Sequence, residues 1–218
     1  MLNKQRGNMY GFVTHTWNPI KGKCSHDCNY CYMKRWGELN PLKLDEKDLN
    51  TNLGTDNFIF VGSSTDMFAK DVPERWIKRV MSQCMNYEGN TYLFQTKNPD
   101  RFNMFNYFDN FILCITLETN RNTDEVSQAP SPVDRVKSFG EAVIHKHKVI
   151  TIEPIMDFDL EEFVDMIKSV KPEWVAIGAD TGRNNLREPS WTKIRLLIAA
   201  LEKFTMVRIK DNLSRLNK

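Results

Sequence analysis

Between residues 58 and 209 the chain repeats one pattern: a short unbroken apolar run, a polar turn, then apolar residues at helical spacing. The runs are Phe58-Ile59-Phe60-Val61, Tyr92-Leu93-Phe94, Phe111 to Leu117, Val149 to Ile152, Trp174 to Ile177 and Thr205 to Ile209. Runs this short, and apolar at consecutive positions, read as strands covered on both faces. Between them, Trp76, Ile77, Val80, Met81 and Cys84 mark one face of a helix opened by Pro73. Further helices are expected near residues 100–108 and over Val133–His145, Leu160–Val170 and Ser190–Lys203, the last capped by Ser190. An earlier strand over Met9–His15 brings the strands to seven, and a helix is expected over residues 38–53 despite Pro41. Strands alternating with helices imply an α/β fold with a parallel sheet. The pattern alone admits an open doubly wound sheet or a partial barrel. No repeat, linker or low-complexity tract divides the chain, so residues 1–218 are expected to form a single domain.

In parallel β/α folds ligands bind at the C-terminal ends of the strands. The first strand leads into Cys24-Ser25-His26-Asp27-Cys28-Asn29-Tyr30-Cys31-Tyr32, where three of the five cysteines are spaced C-x3-C-x2-C. Two metals suit three thiolates so close together. One is a [4Fe-4S] cluster, whose fourth iron would stay open to a small molecule. The other is zinc, with His15 or His26 as fourth ligand. The aromatic Tyr30 before the last cysteine favours the cluster. The remaining strand ends carry Gly62-Ser63-Ser64 with Asp66, then Gln95 and Lys97, Glu118 and Arg121, Glu153, Gly178 and Asp180, and Lys210 and Asp211. Cys84 and Cys114, inside a helix and a strand, are expected to be buried packing residues.

The C-x3-C-x-aromatic-C spacing resembles the cluster motif of the radical S-adenosylmethionine superfamily. Its setting, Thr16-Trp17-Asn18-Pro19-Ile20 before and Tyr32 after, resembles a group of phage and bacterial radical-SAM-like proteins. Further echoes follow in order at Asp66-Met67-Phe68, Val72-Pro73, Gln95-Thr96-Lys97, Glu118, Glu153-Pro154, and Trp174 with Gly178. The resemblance implies a partial (β/α) barrel of about six parallel strands, here with a seventh C-terminal strand. It implies Cys24, Cys28 and Cys31 as cluster ligands and S-adenosylmethionine as co-substrate. An external one-electron donor would drive its cleavage to methionine and a 5′-deoxyadenosyl radical, which abstracts hydrogen from a substrate. Gly62, Ser63 and Ser64 stand where the superfamily has a Gly-Gly-Glu-like segment, and this chain lacks the second glycine and the glutamate. Asp66 is the candidate replacement carboxylate, Glu118 the candidate ribose acceptor, and Tyr30 a candidate adenine contact. Glu153 is a further cofactor-site candidate.

Lys97, Arg121, Arg183, Arg187 and Lys210 are expected near the same mouth, which suits an anionic substrate, a nucleotide or nucleic acid first. Solvated, unpaired surface charge is the plainer reading of the same residues. The net charge of +2 does not in itself call for nucleic acid. With 41% hydrophobic and 27% charged residues, the composition is that of an ordinary globular protein. No apolar stretch suits a membrane span and no signal peptide is apparent. Five cysteines, three of them clustered, are not a disulfide framework, so a reducing cytoplasmic setting is expected. Two other functions fit the same cysteines: a zinc-stabilised nucleic-acid-binding protein, and an iron–sulfur electron carrier. Without a further domain, substrate recognition would fall to the barrel loops or to a partner protein.

Overall fold

The computed structural model describes residues 1–5, 9–142, 145 and 147–217. Its strands are β1 (Leu2–Lys4), β2 (His15–Trp17), β3 (Ile20–Lys21), β4 (Lys43–Leu44), β5 (Phe58–Val61), β6 (Thr91–Thr96), β7 (Phe111–Thr116), β8 (Lys148–Ile152), β9 (Trp174–Ile177) and β10 (Met206–Ile209). Its α-helices are α1 (Glu46–Leu49), α2 (Glu74–Met85), α3 (Pro132–Lys137), α4 (Leu160–Val170) and α5 (Trp191–Leu201). One eight-stranded sheet runs β1-β2-β5-β6-β7-β8-β9-β10, and β3 pairs with β4 apart from it. Every neighbouring pair from β2 to β10 is parallel, and β1 is antiparallel to β2. The seven parallel strands include the expected C-terminal one. The antiparallel β1 had no signal in the apolar pattern.

The sheet is rolled. Phe12 packs its ring 5.0 Å from Phe58 on β5 and 5.7 Å from Trp174 on β9. Those strands are four places apart, which in a flat sheet would be about 19 Å at about 4.8 Å per strand. One ring can touch both only if the sheet curls around it. Residues alternate accordingly. Ile59, Val61, Tyr92, Phe94, Leu113, Ile115, Ile150, Val175 and Ile177 pack outward under the helices. Phe60, Leu93, Ile112, Cys114, Val149 and Ala176 pack inward against Tyr10 and Val13. Tyr10 and Val13 are therefore not part of a strand, as expected for residues 9–15, but a plug. Strand geometry begins only at His15, because the barrel interior needs apolar filling at that end.

Continuing the inward set along each strand changes its chemistry. Leu93 is followed by Gln95 and Lys97, Cys114 by Thr116, and Trp174 and Ala176 by Gly178. The apolar half of the interior is packed and the polar half, toward the strands' C-terminal ends, is left to line a cavity.

Other local expectations needed revision. Residues 38–53 give only β4 and the single turn α1, whose N-cap Asp45 accepts from the Asp48 amide at 3.0 Å. Between β6 and β7 lies a 3₁₀ turn, Pro99–Met104, rather than an α-helix. The helix expected over Val133–His145 is α3, started by Ser131 and Pro132, and it widens to a π turn at Ser138–Ala142. Residues 143 and 144 of that expectation lie outside the described residues. Helix α5 begins as expected, with Ser190 Oγ accepting from the Lys193 amide at 3.3 Å. Cys84 and Cys114 are both buried within the apolar core. No helix among the described residues is long and apolar enough to cross a membrane.

Candidate functional site

A cavity of about 610 Å³ opens at the C-terminal ends of the parallel strands. That is within the usual 300–1,000 Å³ range for small-molecule sites. Cys24, Cys28 and Cys31 all line it, with Tyr30, Gly62, Ser63, Ser64, Asp66, Lys97, Glu153 and Lys210. The cysteines are free thiols. They sit on a loop of tight turns, with the Asp27 amide donating to Cys24 O at 3.3 Å and the Cys31 amide to Cys28 O at 3.2 Å. Asp27 takes a positive φ of 41° between them. Burial, and then the negative charge of Asp66, push the Cys24 thiol up to about 11.

Two outside segments hold this loop. The first is Asp66. Its Oδ2 pairs with His26 Nε2 at 2.9 Å and accepts from the Lys97 amide at 2.8 Å. Its Oδ1 accepts from Thr96 Oγ1 at 2.8 Å and from the Phe68 amide at 2.9 Å. A carboxylate has about four lone-pair sites, so Asp66 is fully engaged and ties the cysteine loop to the end of β6. Burial would raise its pKa, but His26 and these backbone amides outweigh it and hold the carboxyl below the ordinary value of 3.8. His26, the possible zinc ligand, is buried and held by this pairing.

The second is the segment from Thr119 to Pro132, whose Asn, Asp, Ser and Pro residues read as a loop. It is stitched to the cysteine loop. The Asn29 amide donates to Val126 O at 2.9 Å and the Gln128 amide to His26 O at 2.7 Å. Ser127 Oγ lies 3.1 Å from Cys28 Sγ.

Glu118, expected to face a ribose, lies fully buried and outside the cavity lining. It anchors a charged cluster beneath the floor. Arg135 Nη1 donates to its Oε2 at 2.7 Å, the Tyr30 hydroxyl donates to its Oε1, and Lys97 Nζ stands 3.7 Å away. Arg135 also donates to Thr116 O at 2.8 Å and Pro130 O at 2.7 Å. Burial opposes the charge on Glu118, but Arg135 and then Lys97 outweigh it, so its pKa is depressed below 4.5. Lys97 stays protonated, because charge on Cys28 and Glu118 outweighs its burial.

Across the cavity, Lys210 Nζ pairs with Glu153 Oε2 at 2.5 Å and lies 4.6 Å from the Tyr10 ring centroid. Gly178 makes room for this pair, since a Cβ there would meet Glu153 Oε1 at 2.8 Å. Gly62 has φ +77°, a conformation that favours glycine, and a Cβ would crowd Thr65 O at 3.1 Å. The turn it makes is held by Asn18, whose Oδ1 accepts from the Ser64 amide at 3.0 Å and Ser63 Oγ at 3.1 Å.

Three expected substrate cations stand elsewhere. Arg121 donates to Asp159 through two nitrogens at 2.8 and 2.6 Å and to Asp157 at 2.6 Å, so carboxylates beside α4 have captured it. Arg187 is exposed, 3.8 Å from Asp157. Arg183 lines a separate cavity of about 320 Å³ with Asp180, Glu188 and Arg215. The residues that the sequence did not flag are Lys4, Gln5, Arg35, Ser127 and Arg135. Lys4 and Gln5 come from the unanticipated edge strand and its end. Arg135 follows a proline in a short helix, where arginine normally reaches solvent. Nothing local distinguishes it from an exposed charge.

The residues fit an iron–sulfur cube by the chemistry of the donor set: three soft thiols on one short loop, facing one cavity with room for more than the metal. Among the described residues no group of three or more histidine, cysteine, aspartate or glutamate side chains is gathered tightly enough to grip a single ion. A cube asks for something different, because each thiolate binds a separate iron.

Among solved structures, the chain resembles a spore photoproduct lyase variant with bound AdoMet and dinucleoside spore photoproduct, with TM-score 0.58 and 11% identity over 92% of this chain and 64% of that one. A spore photoproduct lyase complexed with the dinucleoside spore photoproduct gives the same TM-score of 0.58 at 11% identity, over 92% and 64% of the two chains. At this identity the likeness establishes a shared fold, and the chain spans about 64% of the lyase's length. No curated protein matches the chain. A family model described as "Protein of unknown function (DUF5131)" matches residues 9–197, and the chain belongs to that family.

Proposed function

We propose that this protein is a radical S-adenosylmethionine enzyme acting on a nucleotide or nucleic-acid substrate. One observation carries the reading: all three cysteines of the C-x3-C-x2-C loop line the same strand-end cavity as the Gly62-Ser63-Ser64 turn. The likeness to a lyase that binds AdoMet and a dinucleoside supports the substrate class. Cys24, Cys28 and Cys31 would hold a [4Fe-4S] cluster. When bound, cluster and S-adenosylmethionine together supply one-electron cleavage of the sulfonium and hence hydrogen abstraction.

This chain's own residues do the rest. Asp66 and Ser127 fix the cysteine loop from two sides. Gly62 lets backbone approach a ligand closely, so the Ser63–Ser64 turn is the natural contact for the methionine portion. Tyr30 presents its ring to the cavity while its hydroxyl is spent on Glu118, which leaves an apolar face for adenine. Glu153 and Lys210 form a polar wall opposite the cysteines. The floor of apolar residues below excludes water from that side.

The test is anaerobic reconstitution with iron and sulfide. About four irons per chain are expected from the cube's own stoichiometry. Reduction in the presence of S-adenosylmethionine should release 5′-deoxyadenosine. Colourless protein holding one zinc, or a four-iron protein that never yields 5′-deoxyadenosine, refutes the proposal in favour of the zinc or electron-carrier function.

A further inference from the structure

The cations of the cavity divide into two sets. Those in its depth are matched by carboxylates: Lys97 and Arg135 share Glu118 at 3.7 and 2.7 Å, Lys210 pairs with Glu153 at 2.5 Å, and Asp66 stands in the same lining. Two others, Lys4 and Arg35, also line the cavity and are exposed. Neither side chain has a hydrogen-bond or ion-pair partner among the described residues. The lining also carries the buried Asp180, but its carboxylate is turned to its own loop, accepting from Gly182 N at 3.0 Å and Asn184 Nδ2 at 2.7 Å. Among the described residues, positive charge without a partner is thus found on the exposed part of the lining, its rim.

Arg35 belongs to the 3₁₀ turn Tyr32–Trp36 that follows the last cysteine. In such a turn residues three apart share a face. Tyr32 and Arg35 accordingly both line the cavity, and Trp36 ends the same turn just outside that lining. Trp36 is 81% exposed and Tyr32 46% exposed, with the Tyr32 hydroxyl donating to Ser63 O at 3.1 Å. The turn thus leaves a large aromatic in water next in sequence to a guanidinium that has no partner among the described residues. It matches what single-stranded nucleic acid requires, namely cations for phosphate and an aromatic face for a base.

We propose that this rim binds single-stranded nucleic acid: Lys4 and Arg35 take backbone phosphates, and Trp36 stacks on a base. The uncharged portion of one nucleotide would then face the charge-balanced interior. This deepens the proposed function and rests on its substrate class, but the rim itself needs neither cluster nor S-adenosylmethionine.

Fluorescein-labelled octathymidylate, titrated into the purified full chain at several salt concentrations without S-adenosylmethionine or reductant, tests it. For Lys4→Ala and Arg35→Ala, the slope of log affinity against log salt should shrink by about 0.7 for each phosphate no longer neutralised. Trp36→Ala should weaken octathymidylate about tenfold, and should leave an abasic octamer of the same charge unaffected. Lys203→Ala, beyond the end of α5 at the opposite end of the sheet, should change nothing. The proposal is overturned if the Lys4→Ala/Arg35→Ala double variant binds like wild type, if Lys203→Ala costs as much, or if Trp36→Ala weakens the abasic probe equally. Failure here with 5′-deoxyadenosine still released removes the rim alone. Oligonucleotide binding without 5′-deoxyadenosine removes the radical chemistry alone.

Discussion

Replacing Arg135 by methionine keeps the volume of the buried cluster but removes its central charge. Glu118 would then be left fully buried with Lys97, 3.7 Å away, as its one remaining ionic partner. Thr116 O and Pro130 O would lose their donor. Breaking a buried pair from one side costs about 3–5 kcal/mol, because the abandoned charge stays in a poorly polarisable interior. At about 2.1 cal/mol/K per residue, a chain of 218 residues has an unfolding entropy of about 0.46 kcal/mol/K. Arg135→Met should therefore lower Tm by about 7–11 °C, read by circular dichroism on the metal-free protein. Adding Glu118→Gln removes the stranded charge while preserving an acceptor for the Tyr30 hydroxyl. Lys97, which lines the cavity, can then be solvated. The double variant should recover roughly half of the loss. A melting point for Arg135→Met within 2 °C of wild type would refute the reasoning, as would a double variant less stable than the single one.

Replacing any of Cys24, Cys28 or Cys31 by alanine should abolish iron incorporation while leaving Tm within a few degrees of wild type, since the barrel core owes nothing to metal; unfolding of all three variants would contradict this. Ser127→Ala removes a hydrogen bond to Cys28 Sγ, worth about 1 kcal/mol or about 40 mV for one electron. Such a bond favours the more negative, reduced cluster, so the potential found by spectroelectrochemical titration should become more negative, and no shift would sever Ser127 from the site. Asp66 and Glu118 both have pKa values depressed by folding. Their contribution is complete above the ordinary values of 3.8 and 4.5 and is lost as pH falls through the depressed ones. Tm should thus fall steeply below about pH 4, and Asp66→Asn should flatten that limb.

Where apolar runs were continuous, sequence and structure agree closely: α4 occupies Leu160–Val170 and β9 Trp174–Ile177, as their periodicity indicates. Agreement fails where a residue's role depends on something distant. Tyr10 and Phe12 look like strand residues because aromatic, apolar positions are all that a strand and a plug have in common. Glu118 follows a strand as a ligand-binding glutamate would, and only the folded chain brings Arg135 beneath it. The cysteine loop was legible because its chemistry is local. That Lys4 and Arg35 have no partner among the described residues was not, since it depends on where the other charges of the folded chain lie.

The plug of Tyr10, Phe12 and Val13 has a kinetic meaning. A vessel stoppered at its base takes its guests from the unstoppered side, so on the proposed function cofactor and substrate would share that approach. If the nearer guest is a polymer lying across the threshold, the small cofactor has to be seated first, and its spent fragments wait until the strand lifts away.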